Sequence, residues 1–350
     1  MSRARPKGCG RWKYLDGAGV AAIYYSKANI DGTAPDGGRI IMARIMVVQC
    51  SGRRNGYTAN LMKAAVERIR VTVGVDADVH HLHDYTVGPC TSCFSCIRNV
   101  GGGCVLDDDW GRKGEGPLYR AFKRANALLM VDPVHSWGMS AAAHAFMERI
   151  YPTFWEGTPY GLPFASISCA SNQGFQHRAT QDYCKLASGY GFRYVGGLPV
   201  HALHYKESIG EAKALAGQLA AAALEDERSD RRKLSDREIF TLFSGAEWDL
   251  VKEYLRNLTM NTFSYEDSLP VKAERENLVT DSEAVPLFEQ VREHLGKALE
   301  AFHAGDRETA VVETAMTAKY WTNATFHQCC KNLTVDADMP EKYRPLDETQ

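Results

Sequence analysis

The chain has 350 residues, 45% of them hydrophobic and 24% charged, enough apolar material for one large domain with additions or for two domains. Its 41 basic and 43 acidic side chains leave a formal net charge of -2, so no global field draws it to nucleic acid or to an anionic membrane, and its expected ligands are small molecules. No apolar run is long enough to cross a bilayer, and the amino terminus has no basic segment followed by an apolar core, so a cytoplasmic location is expected.

Residues 1–38 are rich in Gly, Arg and Lys, lack periodicity and end in Pro35-Asp36-Gly37-Gly38, which reads as a flexible lead-in. The β-branched run 40–48 predicts a buried parallel strand, and the spacing of 58–71 predicts an amphipathic helix. The alternation recurs with a strand at 77–82, a cysteine-rich loop over 89–110, a helix at 117–125 and a buried strand at 127–131. A helix at 140–152, a strand at 164–169, a helix at 176–190, a last strand at 192–195 and an Ala-rich helix at 208–225 complete a domain over 39–226. Strands alternating with helices imply a parallel sheet covered on both faces.

At about 227 a charged hinge ending in Arg231-Arg232-Lys233 changes the character, and a helical extension is expected over 227–350. Its clearest elements are helices at 283–303 and 307–328, joined at Ala304-Gly305-Asp306, where Gly ends one helix and Asp caps the next. Such a hairpin needs a partner surface, either the sheet domain or a second copy in a homodimer or homotetramer.

The loop Ser51-Gly52-Arg53-Arg54-Asn55-Gly56-Tyr57-Thr58 joins the first strand to its helix, where hydroxyls, backbone N–H groups and the helix dipole converge on a phosphate site. It matches neither the Gly-x-Gly-x-x-Gly dinucleotide fingerprint nor the Lys-ended loop of nucleoside triphosphatases, so a terminal monophosphate fits better.

Cys90-x2-Cys93-x2-Cys96-x7-Cys104 is the most specific pattern in the chain. Two C-x2-C steps curl the backbone so that three thiolates face one centre, and a fourth arrives after Gly101-Gly102-Gly103. This suits a [4Fe-4S] cube, which takes one thiolate per iron; zinc and a loop of reduced thiols are the alternatives. Cys329-Cys330 has no partner spacing and reads as structural. Asp108 and Asp109 read as caps and loop-ordering residues for the helix at 117–125.

Three stretches together resemble a known family. Gln49 to Thr58 is similar to the FMN-phosphate loop N-G-S-P-R-x-N-G-N-T of NAD(P)H-dependent FMN reductases and iron-sulfur flavoproteins. Pro133-Val134-His135-Ser136-Trp137-Gly138-Met139-Ser140 resembles their P-x-Y-W-G-S-M-S segment. Pro89 to Trp110 looks like the P-C-x-x-C-x-x-C…C-V-x-x-D-D-M stretch of the iron-sulfur members. The resemblance spans about residues 40–226 and implies a flavodoxin-like three-layer sandwich, a five-stranded parallel sheet in the order 2-1-3-4-5.

By the same resemblance Ser51, Arg53, Asn55 and Thr58, with Gly56 and Tyr57, would hold the phosphate of FMN. Pro133, Val134, His135, Ser136, Trp137 and Gly138 would flank the isoalloxazine ring, and Ser171 and Gly174 would complete the pocket. Cys90, Cys93, Cys96 and Cys104 would carry a [4Fe-4S] cluster. His135 stands where Tyr is usual, Trp137 is shifted by one place, and Cys50 and Tyr57 also depart from the family's common residues. His135 is the candidate for direct contact with flavin or substrate, the alternative being a packed, satisfied histidine. The implied activity moves electrons from NAD(P)H through FMN to a small acceptor such as a quinone, a nitro or azo compound, or a biosynthetic intermediate. The alternative is an electron carrier served by a ferredoxin-like donor.

Overall fold

The computed structural model describes residues 42–171, 174–228, 234–241 and 248–330. The expected lead-in, the hinge residues 229–233, Asn172 and Gln173 lie outside these, as do the side chains of Cys329 and Cys330.

Five strands form one parallel sheet: β1 (Ala43–Gln49), β2 (Val75–His81), β3 (Ala127–Pro133), β4 (Pro163–Ala170) and β5 (Arg193–His201). Their order is β2-β1-β3-β4-β5, the doubly wound order in which the chain reverses beside the first strand. The fold is flavodoxin-like, with helices at the carboxyl terminus added to it. Every residue of the central strand β3 is buried, as its unbroken apolar run requires of a strand covered on both faces.

Helices α1 (Tyr57–Arg70), α2 (Ser95–Arg98), α3 (Pro117–Lys123), α4 (Ala141–Arg149), α5 (Tyr151–Trp155) and α6 (Gln176–Tyr190) fill the crossovers, and α7 (Tyr205–Arg228) follows the last strand. Alternation along the strands splits the core in two. Ile45, Val47, Leu129 and Ile167 pack with Leu61 and Ile69 of α1 and Leu219 of α7. Met46, Val48, Leu128, Met130 and Phe164 face Trp110, Phe122, Phe146 and Tyr183 on the opposite side.

Two elements depart from the sequence expectation. The helix expected over 140–152 is two helices, α4 and α5, because Pro152 has no N–H for a continuing helix and sits instead in the first turn of α5. The last strand continues from 195 to His201, through Gly196, Gly197 and Pro199, residues that ordinarily break strands. β5 is an edge strand, where Pro is tolerated. Gly197 is required by packing: a Cβ there would stand 2.2 Å from Thr180 Cγ2 and 2.2 Å from the Tyr194 hydroxyl. Gly197→Ala is expected to lower stability by about 1–3 kcal/mol, the usual cost of overpacking; an unchanged urea midpoint would show that α6 yields freely.

The rest of the chain is helical: α8 (Asp236–Thr241), α9 (Trp248–Leu258), α10 (Leu269–Arg275), α11 (Ala284–Ala304) and α12 (Arg307–Thr325). Gly305 (φ 74°) ends α11, and the Asp306 carboxylate accepts the Thr309 N–H at 3.2 Å to start α12, so the hairpin lies where its capping residues put it. A five-residue π-turn, Phe326–Cys330, follows. The hairpin's partner surface is the sheet domain. Leu295, Leu299, Val312 and Met316 share a core with Trp110 and Tyr183, and Lys319 donates to the Tyr160 hydroxyl (3.0 Å) while pairing with Asp236. Buried Glu313 accepts from Arg237 (2.6 Å) and pairs with His294 (2.6 Å). Among the described residues no helix is long and apolar enough to cross a membrane.

Candidate active site

The loops that follow β1, β3, β4 and β5 start from neighbouring positions at the carboxyl edge of the sheet. The Cys50 N–H donates to the Val131 carbonyl (2.9 Å) and the Val134 N–H to the Cys169 carbonyl (2.9 Å), while Ala170 stands in register with His201. Ligands of open α/β sheets bind along this edge.

In the first loop Ser51 is buried, and its hydroxyl accepts the Arg53 N–H at 3.2 Å. The Gln49 amide donates to the Arg53 carbonyl at 3.2 Å, which closes the turn. Arg53 is exposed. Asn55 accepts from Lys63 (3.0 Å), Thr58 is buried beside Cys169, and half-exposed Tyr57 meets Tyr205 edge-on at 4.9 Å. Gly56 caps α1 without a side-chain hydrogen bond, so the first N–H groups of a 14-residue helix point at the loop. That is the arrangement anions seek.

The second loop is a tight hairpin turn. His135 and Gly138 exchange two backbone hydrogen bonds of 3.1 Å, with Ser136 (φ 49°) and Trp137 (φ 62°) both in the left-handed region. Two non-glycine residues there store strain of the kind found at binding sites. The turn carries His135, Ser136 and Trp137 outward, with Trp137 59% exposed, from a base of buried Pro133 and half-buried Val134. Asp132, fully buried at the end of β3, accepts the Ser140 N–H (3.0 Å) and the Ser140 hydroxyl (2.6 Å), so it ties the two ends of the turn together. Burial pushes its carboxyl up to about 7, against the lowering effect of Ser140. Buried Cys50 and Tyr183 face the same carboxyl, and burial, then that charge, push both upward; the Tyr183 hydroxyl has no well-formed hydrogen bond of its own.

In the third loop, Ser171 is exposed, and Gly174 (φ 93°) and Phe175 (φ 66°) turn the chain into α6, leaving Phe175 52% exposed. The sequence reading missed the fourth loop, where the extension of β5 delivers His201, Leu203 and Tyr205 to the same edge. It also missed the loop after β2, where His83 donates to the Cys50 carbonyl (3.1 Å) and packs over Gly52. The only signal for either was the histidine density of 80–83 and 201–204.

The four cysteines line one cavity of about 430 Å³, together with Glu148, Arg149, Tyr151 and Tyr190. Ser92 (φ 53°) and Phe94 (φ 52°) turn the chain between them. Gly103 (φ 68°) brings the chain back where any Cβ would stand 2.5 Å from the Gly114 nitrogen. Two N–H groups already point at sulfur, from Ser92 to Cys90 (3.4 Å) and from Arg149 to Cys104 (3.2 Å). Burial and then the three neighbouring thiols push Cys96 up to about 12. Among the described residues no three of these sulfurs close within 4.8 Å of one another, whereas a zinc tetrahedron has edges of ~3.8 Å. A cube that spreads its thiolates one per iron fits the donor set better.

Asp108 orders this loop as expected, accepting the Gly111 N–H (2.8 Å) and the Gly88 N–H (3.2 Å), and Asp109 accepts the Thr86 N–H (2.8 Å). Neither caps α3, whose cap residue Gly116 offers no side chain.

Residues 43–199 match the family described as NADPH-dependent FMN reductase. No curated protein matches the chain. Similar solved structures include a WrbA-like flavodoxin from Agrobacterium tumefaciens, 14% identical over 53% of this chain and 99% of that one, with a TM-score of 0.36. An oxidoreductase from Corynebacterium diphtheriae is 13% identical over 53% and 98%, with a TM-score of 0.40. An NAD(P)H:quinone oxidoreductase from Methanothermobacter marburgensis is 12% identical over 51% and 99%, with a TM-score of 0.37. Residues 43–199, somewhat less than half of the chain, are thus similar to the NADPH-dependent FMN reductase family, and the rest of the chain lies outside the match.

Proposed function

We propose that the protein binds FMN along the carboxyl edge of the sheet and passes electrons from NAD(P)H to a small acceptor such as a quinone, a nitro or azo compound, or a biosynthetic intermediate. The observation that carries this is the convergence of the four loops on the uncapped end of α1. Ser51, Arg53, Asn55 and Thr58, with the backbone of Gly56 and Tyr57, would hold the phosphate. Pro133 to Gly138 would border the ring, with Ser171 and Gly174 closing the far side. Bound FMN supplies hydride acceptance and the exchange of two-electron for one-electron traffic. The protein's share is to fix the cofactor, shield it with Trp137 and Phe175, and offer the exposed His135 as a hydrogen-bond donor.

Cys90, Cys93, Cys96 and Cys104 would hold a [4Fe-4S] cluster, which supplies single-electron exchange. Their shared cavity favours a second reading, an electron carrier served by a ferredoxin-like donor. The test is the absorbance spectrum of anaerobically purified protein, with iron and sulfide assays and reduction by NADPH or by reduced ferredoxin. Flavin bands with about four irons per chain and bleaching by NADPH support the main reading. Bleaching by ferredoxin alone replaces it with the carrier, and protein that binds no flavin ends both.

Removal of the Ser51 hydroxyl should weaken FMN binding by about tenfold, in line with about 1–2 kcal/mol for a hydrogen bond to a charged group. Quenching of flavin fluorescence in a titration of Ser51→Ala against unaltered protein checks it; equal affinities would place the phosphate elsewhere.

A further inference from the structure

The cysteine cavity contains one arrangement that the proposed cluster leaves unexplained. Arg149, at the end of α4, is 1% exposed. Its Nη1 donates to the Gly88 carbonyl (3.0 Å) and to Asp108 (2.5 Å), and its Nη2 donates to Asp108 (2.9 Å) and to the Cys104 sulfur (3.2 Å). Gly88 lies two residues before the first cysteine of the loop and Cys104 is the last, so one guanidinium fastens both ends. Among the described residues lining the cavity, Arg149 is the only cation and Glu148, which accepts the Cys90 N–H at 3.1 Å, is the only carboxylate.

A loop clamp alone does not need the fourth bond. The bidentate pair with Asp108 and the bond to Gly88 already hold the loop, and a neutral thiol is a weak acceptor. A charged donor aimed at sulfur is matched to a sulfur that carries negative charge. Hydrogen bonds to the ligating sulfurs and nearby charge are the levers by which proteins set the potential of such a centre, and both favour the more negative, reduced form. We propose that Arg149 is a positioning residue that, buckled to Asp108, presents a charged N–H to Cys104 and so raises the reduction potential of the metal centre held there. This rests on the reading of the four cysteines as iron-sulfur ligands.

Arg149→Lys separates this role from a clamp. Lysine keeps the charge and one bond to Asp108, but a single nitrogen cannot also span Gly88 and Cys104. The experiment is a spectroelectrochemical titration of both centres in unaltered and Arg149→Lys protein, with iron counted in each. The expected result is retained iron and an unchanged flavin potential, with the reduced-to-oxidised ratio of the iron centre at fixed potential down about tenfold, 59 mV for one electron. Full iron with an unmoved potential overturns the inference and leaves the cluster reading intact. Unaltered protein that takes up no iron overturns the cluster reading and this inference with it. If the variant does not fold, unaltered protein reconstituted in heavy water is still a test: its iron–sulfur stretching bands are expected to shift, and bands that stay put overturn the inference.

Discussion

On the iron-sulfur reading, Cys96→Ser protein purified anaerobically is expected to carry less than one iron per chain against about four expected for the unaltered protein, with bound flavin undiminished. The asymmetry follows from the fold. The four cysteines sit on a loop between β2 and α3, and the flavin loops follow β1, β3, β4 and β5. A serine hydroxyl retains the size of the thiol but not its affinity for iron. Cys96 is the informative choice because, of the four, it is the one whose ionisation burial and its three neighbours oppose most clearly. The measurement is iron, sulfide and flavin per chain in both proteins. A variant with full iron would exclude Cys96 as a ligand, and loss of flavin along with iron would mean that the loop supports the flavin site.

The second large effect concerns Asp132. In the folded chain burial holds its proton up to about pH 7, while in an unfolded chain it is released near pH ~4. Its protonated form therefore favours the fold. That contribution is complete below pH ~4, falls by about 1.4 kcal/mol per pH unit above it, and is gone once the pH passes about 7, a total of about 4 kcal/mol. Asparagine cannot lose a proton and fits the same site. Its oxygen can accept the Ser140 N–H and its amide can donate to the Ser140 hydroxyl and toward the Tyr183 oxygen, which lacks a well-formed partner. Asp132→Asn is expected to be clearly more stable than the unaltered protein at pH 8, with the advantage shrinking steadily toward pH 5. Urea denaturation across that range measures it, and a difference that does not change with pH would mean that Asp132 is charged in the fold. Because Asp132 and Ser140 tie the turn that carries His135 and Trp137, the flavin affinity of the unaltered protein should change over the same interval.

Much of this was legible in the sequence. Strands buried on both faces, such as Ala127–Pro133, are near-continuous apolar runs, and helices over them have a 3.6-residue period. Those two signals, with the alternation of the elements, determined a parallel sheet covered on both faces, while its strand order was implied by the family resemblance. The Gly305-Asp306 junction determined the hairpin of the tail, since capping is chemistry between near neighbours. The cysteine spacing predicted that the thiols would gather in one place, because three of them lie only three residues apart, and all four line one cavity.

Tertiary structure alone decided the rest. Gly196, Gly197 and Pro199 have the local preferences of a strand end, and β5 runs through them because an edge position tolerates proline and the packing of Thr180 and Tyr194 demands glycine. His83, His201 and Tyr205 reached the site through strand neighbours that lie far apart in the chain. The bond from Arg149 to Cys104 joins residues 45 positions apart, and the proton held by Asp132 depends on what covers it. Periodicity and capping act within a few residues, and the sequence therefore determined them; packing, burial and the partners of a buried charge belong to the assembled fold.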